Sequence, residues 1–168
     1  PIFTDVLTPN AHFLDWCYRH VLSLLNWLRW PGVVAVTGAI GWRTGGLRAG
    51  LTGAAAMLLV GVIASWDHAM ITLAIMLVAV VIALLLGIPL GIWTARSDMA
   101  ERVIRLVLDT AQVMPIFVYF SPVQVAFGIQ YPSAIVVTVV YALPPVVRLT
   151  NLGLRNVPVV LNEVGESL

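Results

Sequence analysis

The chain has no lysine: all nine of its basic residues are arginines. A phosphate-binding P-loop needs a lysine on the β- and γ-phosphates, so a standard P-loop ATPase is excluded, and any ATP-driven work must fall to another subunit. Cysteine is almost as scarce. Cys17 stands alone, which rules out an internal disulfide and any C-x-x-C redox or zinc motif and leaves it as an apolar filler. Charge is low as well: 10% of residues are charged against 60% hydrophobic, with a mean hydropathy of +0.97. Such a chain cannot cover a soluble core with polar surface, and its apolar runs are long enough to cross a bilayer, so it reads as an integral membrane protein. The net charge of +1 carries no nucleic-acid signal, because the arginines cluster at the ends of apolar segments, as topology signals do. Neither G-x-S-x-G nor H-E-x-x-H occurs, and His12, His20 and His68 fall in surface or turn positions without ligand-like neighbours, so neither a catalytic residue nor a metal site is expected. No charged stretch precedes an apolar core after Pro1; no signal peptide is visible, and the chain reads as a fragment.

What the sequence does have is a succession of apolar segments. From Phe13 to Trp30 the apolar residues Phe13, Leu14, Trp16, Cys17, Val21, Leu24, Leu25 and Leu28 recur at helical spacing. This reads either as an amphipathic helix lying in the membrane surface and ending at Pro31–Gly32, or as the lower half of a first span. Spans are then expected at about Trp30–Trp42, Leu47–Ser65, Ala69–Ala95, Val103–Phe127 and Ser133–Leu152. The division that follows is 1–30 for the tail and surface helix, 31–65 for accessory spans, 66–157 for a core, and 158–168 for a short terminal element. Arg43, Arg48, Arg96, Arg102, Arg105, Arg148 and Arg155 all mark one set of segment ends, while "SWDHAM" and "GIQYPS" at the alternate ends contain no arginine. The positive-inside rule therefore places the arginine-bearing ends in the cytoplasm and the N-terminus outside, with Trp66 at the outer interface and Trp42 and Trp93 at the inner one.

Several polar or helix-breaking residues lie in or beside these spans. Pro115 and Pro122 interrupt the fourth segment and Pro144 and Pro145 the fifth, where each removes a backbone donor. Breaks at that depth suit a protein that lines a pathway. Asp98 and Glu101 read as a local helix cap. Asp109 lies within reach of Arg102 or Arg105 along one face, either as a structural ion pair or as a functional contact at the cytoplasmic mouth. Arg148, counted from the start of its segment, falls within snorkelling reach of the cytoplasmic interface. Gly46 with Gly50, and Gly87 with Gly91, have the G-x-x-x-G spacing of close helix packing. After Pro158, the residues Leu161, Val164 and Leu168 share one face of a short amphipathic helix.

Two longer stretches, "MITLAIMLVAVVIALLLGIPLGIWTARSD" and "LDTAQVMPIFVYFSPVQVAFGIQYPSAIVVTVVYALPPVVRLTNLGLRNVP", closely resemble the permease subunit of glycine betaine, proline betaine and choline ABC importers. The resemblance covers about residues 65 to 168; before that it is one of layout. It implies an all-α polytopic membrane protein with the type I ABC importer transmembrane fold, incomplete here because further spans are expected. It also implies a homodimeric permease pair in the bacterial inner membrane, cytoplasmic ABC ATPase subunits that hold ATP and Mg, and an external substrate-binding protein, with no cofactor in this chain.

In that family a short cytoplasmic helix bearing an E-A-A pattern docks on the ATPase, which assigns Pro158, Leu161, Glu163, Val164, Gly165, Glu166 and Ser167 to the coupling element. Glu163 matches the pattern, whereas Val164 and Gly165 replace its alanines and weaken the helix, since glycine inside a helix costs ~1 kcal/mol. A quaternary ammonium solute is suited to aromatic faces, so Tyr119, Phe120, Phe127 and Tyr141, with Gln124 and Thr138, are the candidate pathway residues. An ion-coupled secondary transporter and a non-transporting scaffold or sensor subunit stay open beside this reading; the former would need more buried ionisable groups than the one deep acid, Asp109.

Overall fold

The computed structural model describes residues 2–63, 66–128 and 130–156, with side chains from Asn10 onward. The coupling residues Pro158, Leu161, Glu163, Val164, Gly165, Glu166 and Ser167 lie outside the described residues. Five helices follow in order: α1 (Ile2–Val62), α2 (Trp66–Arg96), α3 (Asp98–Val113), α4 (Ile116–Phe127) and α5 (Tyr131–Arg155). The fold is all-α, with no strand among the described residues. Three of the helices, α1, α2 and α5, are long and apolar enough to cross a membrane. The chain forms two compact units, one covering Thr8–Val78 and the other built from Ala79 onward.

In the first unit, α1 is a helix with two breaks, at Arg29 (φ 54°, ψ 175°) and Gly46 (φ 78°, ψ −177°). They divide it into segments 2–28, 30–45 and 47–62. The first break falls at Arg29 and not at Pro31–Gly32, as the sequence suggested. Proline is no helix breaker in the first turn, where its missing N–H has no partner to lose, so Pro31 starts the second segment instead of ending the first. At Gly46 the chain takes a conformation that only glycine adopts without strain. Gly46 is therefore the turn of a helical hairpin and not, as the G-x-x-x-G spacing implied, a packing partner of Gly50.

The hairpin's own register is set by other glycines. A Cβ on Gly41 would lie 2.7 Å from the Ala49 carbonyl oxygen, and one on Gly50 would lie 2.8 Å from the Gly38 carbonyl oxygen, so only glycine lets the two backbones approach this closely. Each limb has 16 residues, about 24 Å, which is short of a full hydrocarbon thickness. Arg29, by contrast, is a bulky residue in a glycine-only region, a placement that costs ~1–3 kcal/mol. Arg29→Gly is expected to stabilise the protein by about 1 kcal/mol after the added freedom of the unfolded chain is subtracted. Its thermal midpoint in detergent should rise by ~2–4 °C while Arg29→Ala gives no comparable gain.

Helix α2 runs 31 residues, about 46 Å, through Pro89. It buries one stripe of mostly small residues, Met70, Ala74, Val78, Ala79, Ala83, Gly87, Gly91 and Thr94, in which no step along the helix exceeds four residues. In the second unit the Gly87–Thr94 end of this stripe packs on α5. A Cβ on Gly91 would lie 2.5 Å from Thr150 Cβ, and one on Gly87 would lie 2.6 Å from Val146 Cγ1.

Helices α3 and α4 are bent by 98° at Met114 and Pro115. Met114 is extended (ψ 132°), as the residue before a proline prefers, and Pro115 opens α4. Gly128 (φ 85°) ends α4, and Pro132 lies in the first turn of α5. The break expected at Pro115 is present. Those expected at Pro122, Pro144 and Pro145 are not: α4 continues through Pro122, and α5 is helical throughout Tyr131–Arg155. Proline's fixed φ matches the helix, and its penalty is the lost N–H and the crowded carbonyl four residues back. Pro144 is fully buried in the packing of α5, and that burial holds the helical path. The consequence is chemical: the carbonyls of Val140 and Tyr141 have no helical N–H to accept from.

Candidate functional site

Helix α3 has two unlike faces. Val103, Leu106 and Val107 are exposed apolar residues, whereas Asp98, Glu101, Arg105 and Asp109 follow one another at intervals of three and four and form a charged stripe. Helix α5 ends in a matching stripe of Arg148, Asn151 and Arg155. The two helices pack together, and their stripes pair antiparallel. Arg155 Nη2 donates to Asp98 Oδ1 at 2.8 Å, lies 3.0 Å from Glu101 Oε2, and donates to the Thr94 carbonyl oxygen at 3.1 Å. It thereby ties α5 to both α2 and α3. Farther along, Arg148 pairs with Asp109, and Arg105 stands 3.9 Å from the other Asp109 oxygen. Between the pairs lies a cleft of about 130 Å3 lined by Thr94, Glu101, Ile104, Arg105, Leu108, Val147, Arg148, Asn151 and Leu152.

The sequence anticipated some of these positions and not their partners. Asp109 was expected to pair along its own helix with Arg102 or Arg105. Arg105 is its marginal neighbour, its main partner is Arg148 on α5, and Arg102 instead donates to the Asp98 backbone carbonyl at 3.3 Å. Arg148, which the sequence places within snorkelling reach of the interface, is held by Asp109 instead. Asp98 and Glu101 do not cap α3. The cap is Ser97, whose hydroxyl accepts from the Ala100 N–H at 3.3 Å, which leaves both acids free to hold Arg155. The missed signal was spacing between helices: acids at 98, 101 and 109 match arginines at 155 and 148 once the helices are set antiparallel.

The expected pathway residues are only partly gathered. The rings of Tyr119 and Tyr141 meet at 5.8 Å and 45°, and the Tyr141 hydroxyl donates to the Met114 carbonyl oxygen at 3.4 Å, at the α3–α4 bend. The Tyr119 hydroxyl is shielded from solvent without a well-formed hydrogen bond. Phe120, Gln124 and Phe127 are half-buried along α4, and the Thr138 hydroxyl is occupied by the Ala134 carbonyl oxygen at 2.7 Å. Among the described residues, no group of three or more His, Cys, Asp or Glu side chains could hold a metal ion. The arrangement offers ion pairs that link helices, and an aromatic pair beside a helix break, and no nucleophile set beside a base.

Comparison with known proteins gives this site a context. Residues 87–168 match the family model described as "Binding-protein-dependent transport system inner membrane component", a span that includes Gly87, Gly91 and both charged stripes. The chain is 38% identical over 167 residues to the glycine betaine/proline betaine transport system permease protein ProW of Escherichia coli, covering 99% of this chain and 46% of that protein. It is 36% identical over 172 residues to ProW of Salmonella typhimurium, covering 92% of this chain and 49% of that protein. It is 42% identical over 111 residues to the glycine betaine/carnitine transport permease protein GbuB of Listeria monocytogenes, covering 66% of this chain and 39% of that protein. The chain thus spans half or less of the length of these relatives.

Proposed function

Because this chain belongs to the family of binding-protein-dependent transport system inner membrane components, we propose that it forms part of the translocation pathway of an ATP-driven importer for glycine betaine, proline betaine or choline. The observation that carries the reading is 38% identity along 99% of the chain to a permease named for glycine betaine and proline betaine. A lysine-free chain holds no P-loop, so ATP and Mg belong to a separate cytoplasmic ATPase, and an external binding protein delivers the solute. Two copies of the permease in the bacterial inner membrane, each with its N-terminus outside, enclose the path.

In this mechanism residues 66–157 begin the permease core and 158–168 begin the coupling helix, with Pro158, Leu161, Glu163, Val164, Gly165, Glu166 and Ser167 facing the ATPase. ATP binding draws the ATPases together, the coupling helices follow, and the permease pair exchanges outward-facing for inward-facing states. Arg155 stands just before this element and connects it to α2 and α3 through Thr94, Asp98 and Glu101. The Tyr119–Tyr141 pair, with Phe120, Gln124, Phe127 and Thr138 on the same two helices, offers aromatic faces to a quaternary ammonium group.

The decisive test is reconstitution of the full-length permease with its ATPase and binding protein in sealed vesicles. Glycine betaine uptake should require ATP inside the compartment that holds the ATPase; uptake at the same rate without ATP would overturn the proposal. In the same preparation Glu163→Ala should lower substrate-stimulated ATP hydrolysis about tenfold, a loss of ~1.4 kcal/mol in coupling, with membrane insertion unchanged. Equal loss of insertion and hydrolysis would make Glu163 a structural residue.

A further inference from the structure

The helical hairpin of the first unit is closed at one end and open at the other. Near its turn the limbs meet through Gly41, Gly45 and Gly50, where an added Cβ would come within 2.7–2.8 Å of the facing limb, and through Gly38 and Gly53, where it would only touch it at 3.4–3.5 Å. Gly38 faces Ala54 and Trp42 faces Gly50; extended outward at the same spacing, this register sets Val34 against Leu58 and Trp30 against Val62, and those four residues line one groove. Those bulky pairs hold the limbs apart. The result is a wedge-shaped groove of about 580 Å3, lined by Trp30, Val34, Met57, Leu58, Val62 and Trp66. At about 30 Å3 per water-sized group, this accommodates on the order of nineteen such groups, the bulk of one acyl chain. The lining gives water little to bond with beyond the two indoles at the mouth.

A cation stands beside that mouth. Arg29 directly precedes Trp30, its side chain is exposed, and among the described residues it has no ion-pair partner, whereas Arg19 pairs with Asp15. Its backbone sits at φ 54°, ψ 175°, where a glycine would be free of strain. Tryptophans flanking an arginine at the end of an apolar groove form the pattern of a headgroup level above an acyl-chain level. We propose that the open end of this hairpin is a binding site for one anionic phospholipid, with an acyl chain in the groove and the phosphate on the Arg29 guanidinium. An isolated guanidinium favours a headgroup with net negative charge over a zwitterionic one. The proposal stands independently of the transported solute.

The test uses the full-length permease in vesicles doped at equal low fractions with phosphatidylglycerol or phosphatidylcholine brominated on the acyl chains, which quench tryptophan at contact. The signal of interest is the emission that Trp30→Phe and Trp66→Phe remove. Brominated phosphatidylglycerol should quench it at about one fifth of the concentration that brominated phosphatidylcholine requires. Arg29→Gln should abolish this preference and Arg29→Lys should keep it. Gly61→Leu adds its side chain at the groove, where a Cβ meets only Trp66 at 3.8 Å, and should weaken quenching by both lipids. Equal quenching by the two lipids in the unmodified protein, or a preference that survives Arg29→Gln, would overturn the headgroup assignment. Unchanged quenching in Gly61→Leu would overturn the acyl-chain assignment.

Discussion

Gly91→Leu is expected to lower the thermal midpoint of the purified protein by on the order of 10 °C, the largest stability effect foreseen for any single substitution. A Cβ at Gly91 would lie 2.5 Å from Thr150 Cβ and 3.0 Å from the Val147 carbonyl oxygen. The first clash is with a side-chain atom bonded directly to the backbone and the second is with backbone, so no rotamer change relieves either. Helices α2 and α5 must move apart, which costs ~3 kcal/mol or more by analogy with overpacked cores. Gly87→Ala meets Val146 Cγ1 at 2.6 Å, an atom that χ1 rotation can move, and Val146 Cβ at 3.0 Å, which yields with a shift of a few tenths of an ångström, so it should cost less, about 1 kcal/mol. Gly153→Ala has nothing within 4 Å of its Cβ and should be neutral, or stabilising by up to ~1 kcal/mol through helix propensity. If Gly91→Leu melts with Gly153→Ala, the α2–α5 contact is not part of the folded protein.

The largest functional loss short of misfolding is expected at Asp109. This carboxylate lies between Arg148 on α5 and Arg105 on its own helix. Asp109→Leu leaves two arginines facing each other beside apolar spans, where unpaired charge is costly. Each partner of the Asp109–Arg148 pair is 45–46% exposed, so the lost pairing amounts to only ~1 kcal/mol and the fold should persist. Transport is a sharper readout, since the pair joins the helix at the α3–α4 bend to the helix that leads toward residues 157–168. Substrate uptake should fall about five- to tenfold. The exchange Asp109→Arg with Arg148→Asp should recover most of that loss, because the pair is remade in reverse. A double variant as inactive as the single one would mean that Asp109 acts through its own contacts and not through pairing; unchanged uptake in the single variant would mean that the pair is incidental.

The parts of this fold that the sequence disclosed are those governed by one helix at a time. Ala69–Ala95 and Ser133–Leu152 were read from apolar length, and the helices found there, Trp66–Arg96 and Tyr131–Arg155, exceed them by one to three residues at each end. Pro115 breaks its helix because nothing offsets the lost N–H at a position where the preceding residue is already extended. What the sequence concealed depends on neighbours. Pro144 and Pro145 look like breakers until burial of Pro144 holds α5 together. Arg148 looks like a snorkelling side chain until α3 supplies Asp109 from 39 residues away. Asp98 and Glu101 fit a local capping pattern, and a serine one residue earlier had already satisfied that need. Gly46 has a packing spacing and serves as a turn, a distinction carried by φ and not by composition.

The contact of Arg155 with Asp98 also settles a question of parity. A pair of short helices bent by 98° could dip into a bilayer and return, or could cross it. Had α3 and α4 returned to the side from which they set out, α5, with 25 residues and about 37 Å of length, would end on the opposite side. Its last residue would then stand a full hydrocarbon thickness away from the start of α3. Instead Arg155 Nη2 at the end of α5 lies 2.8 Å from Asp98 Oδ1 at the start of α3, and Tyr141, midway along α5, reaches Met114 at the bend. The elbow therefore counts as one crossing, and the outbound and homeward legs share a common shore, where Arg155 moors the end of α5 to the start of α3.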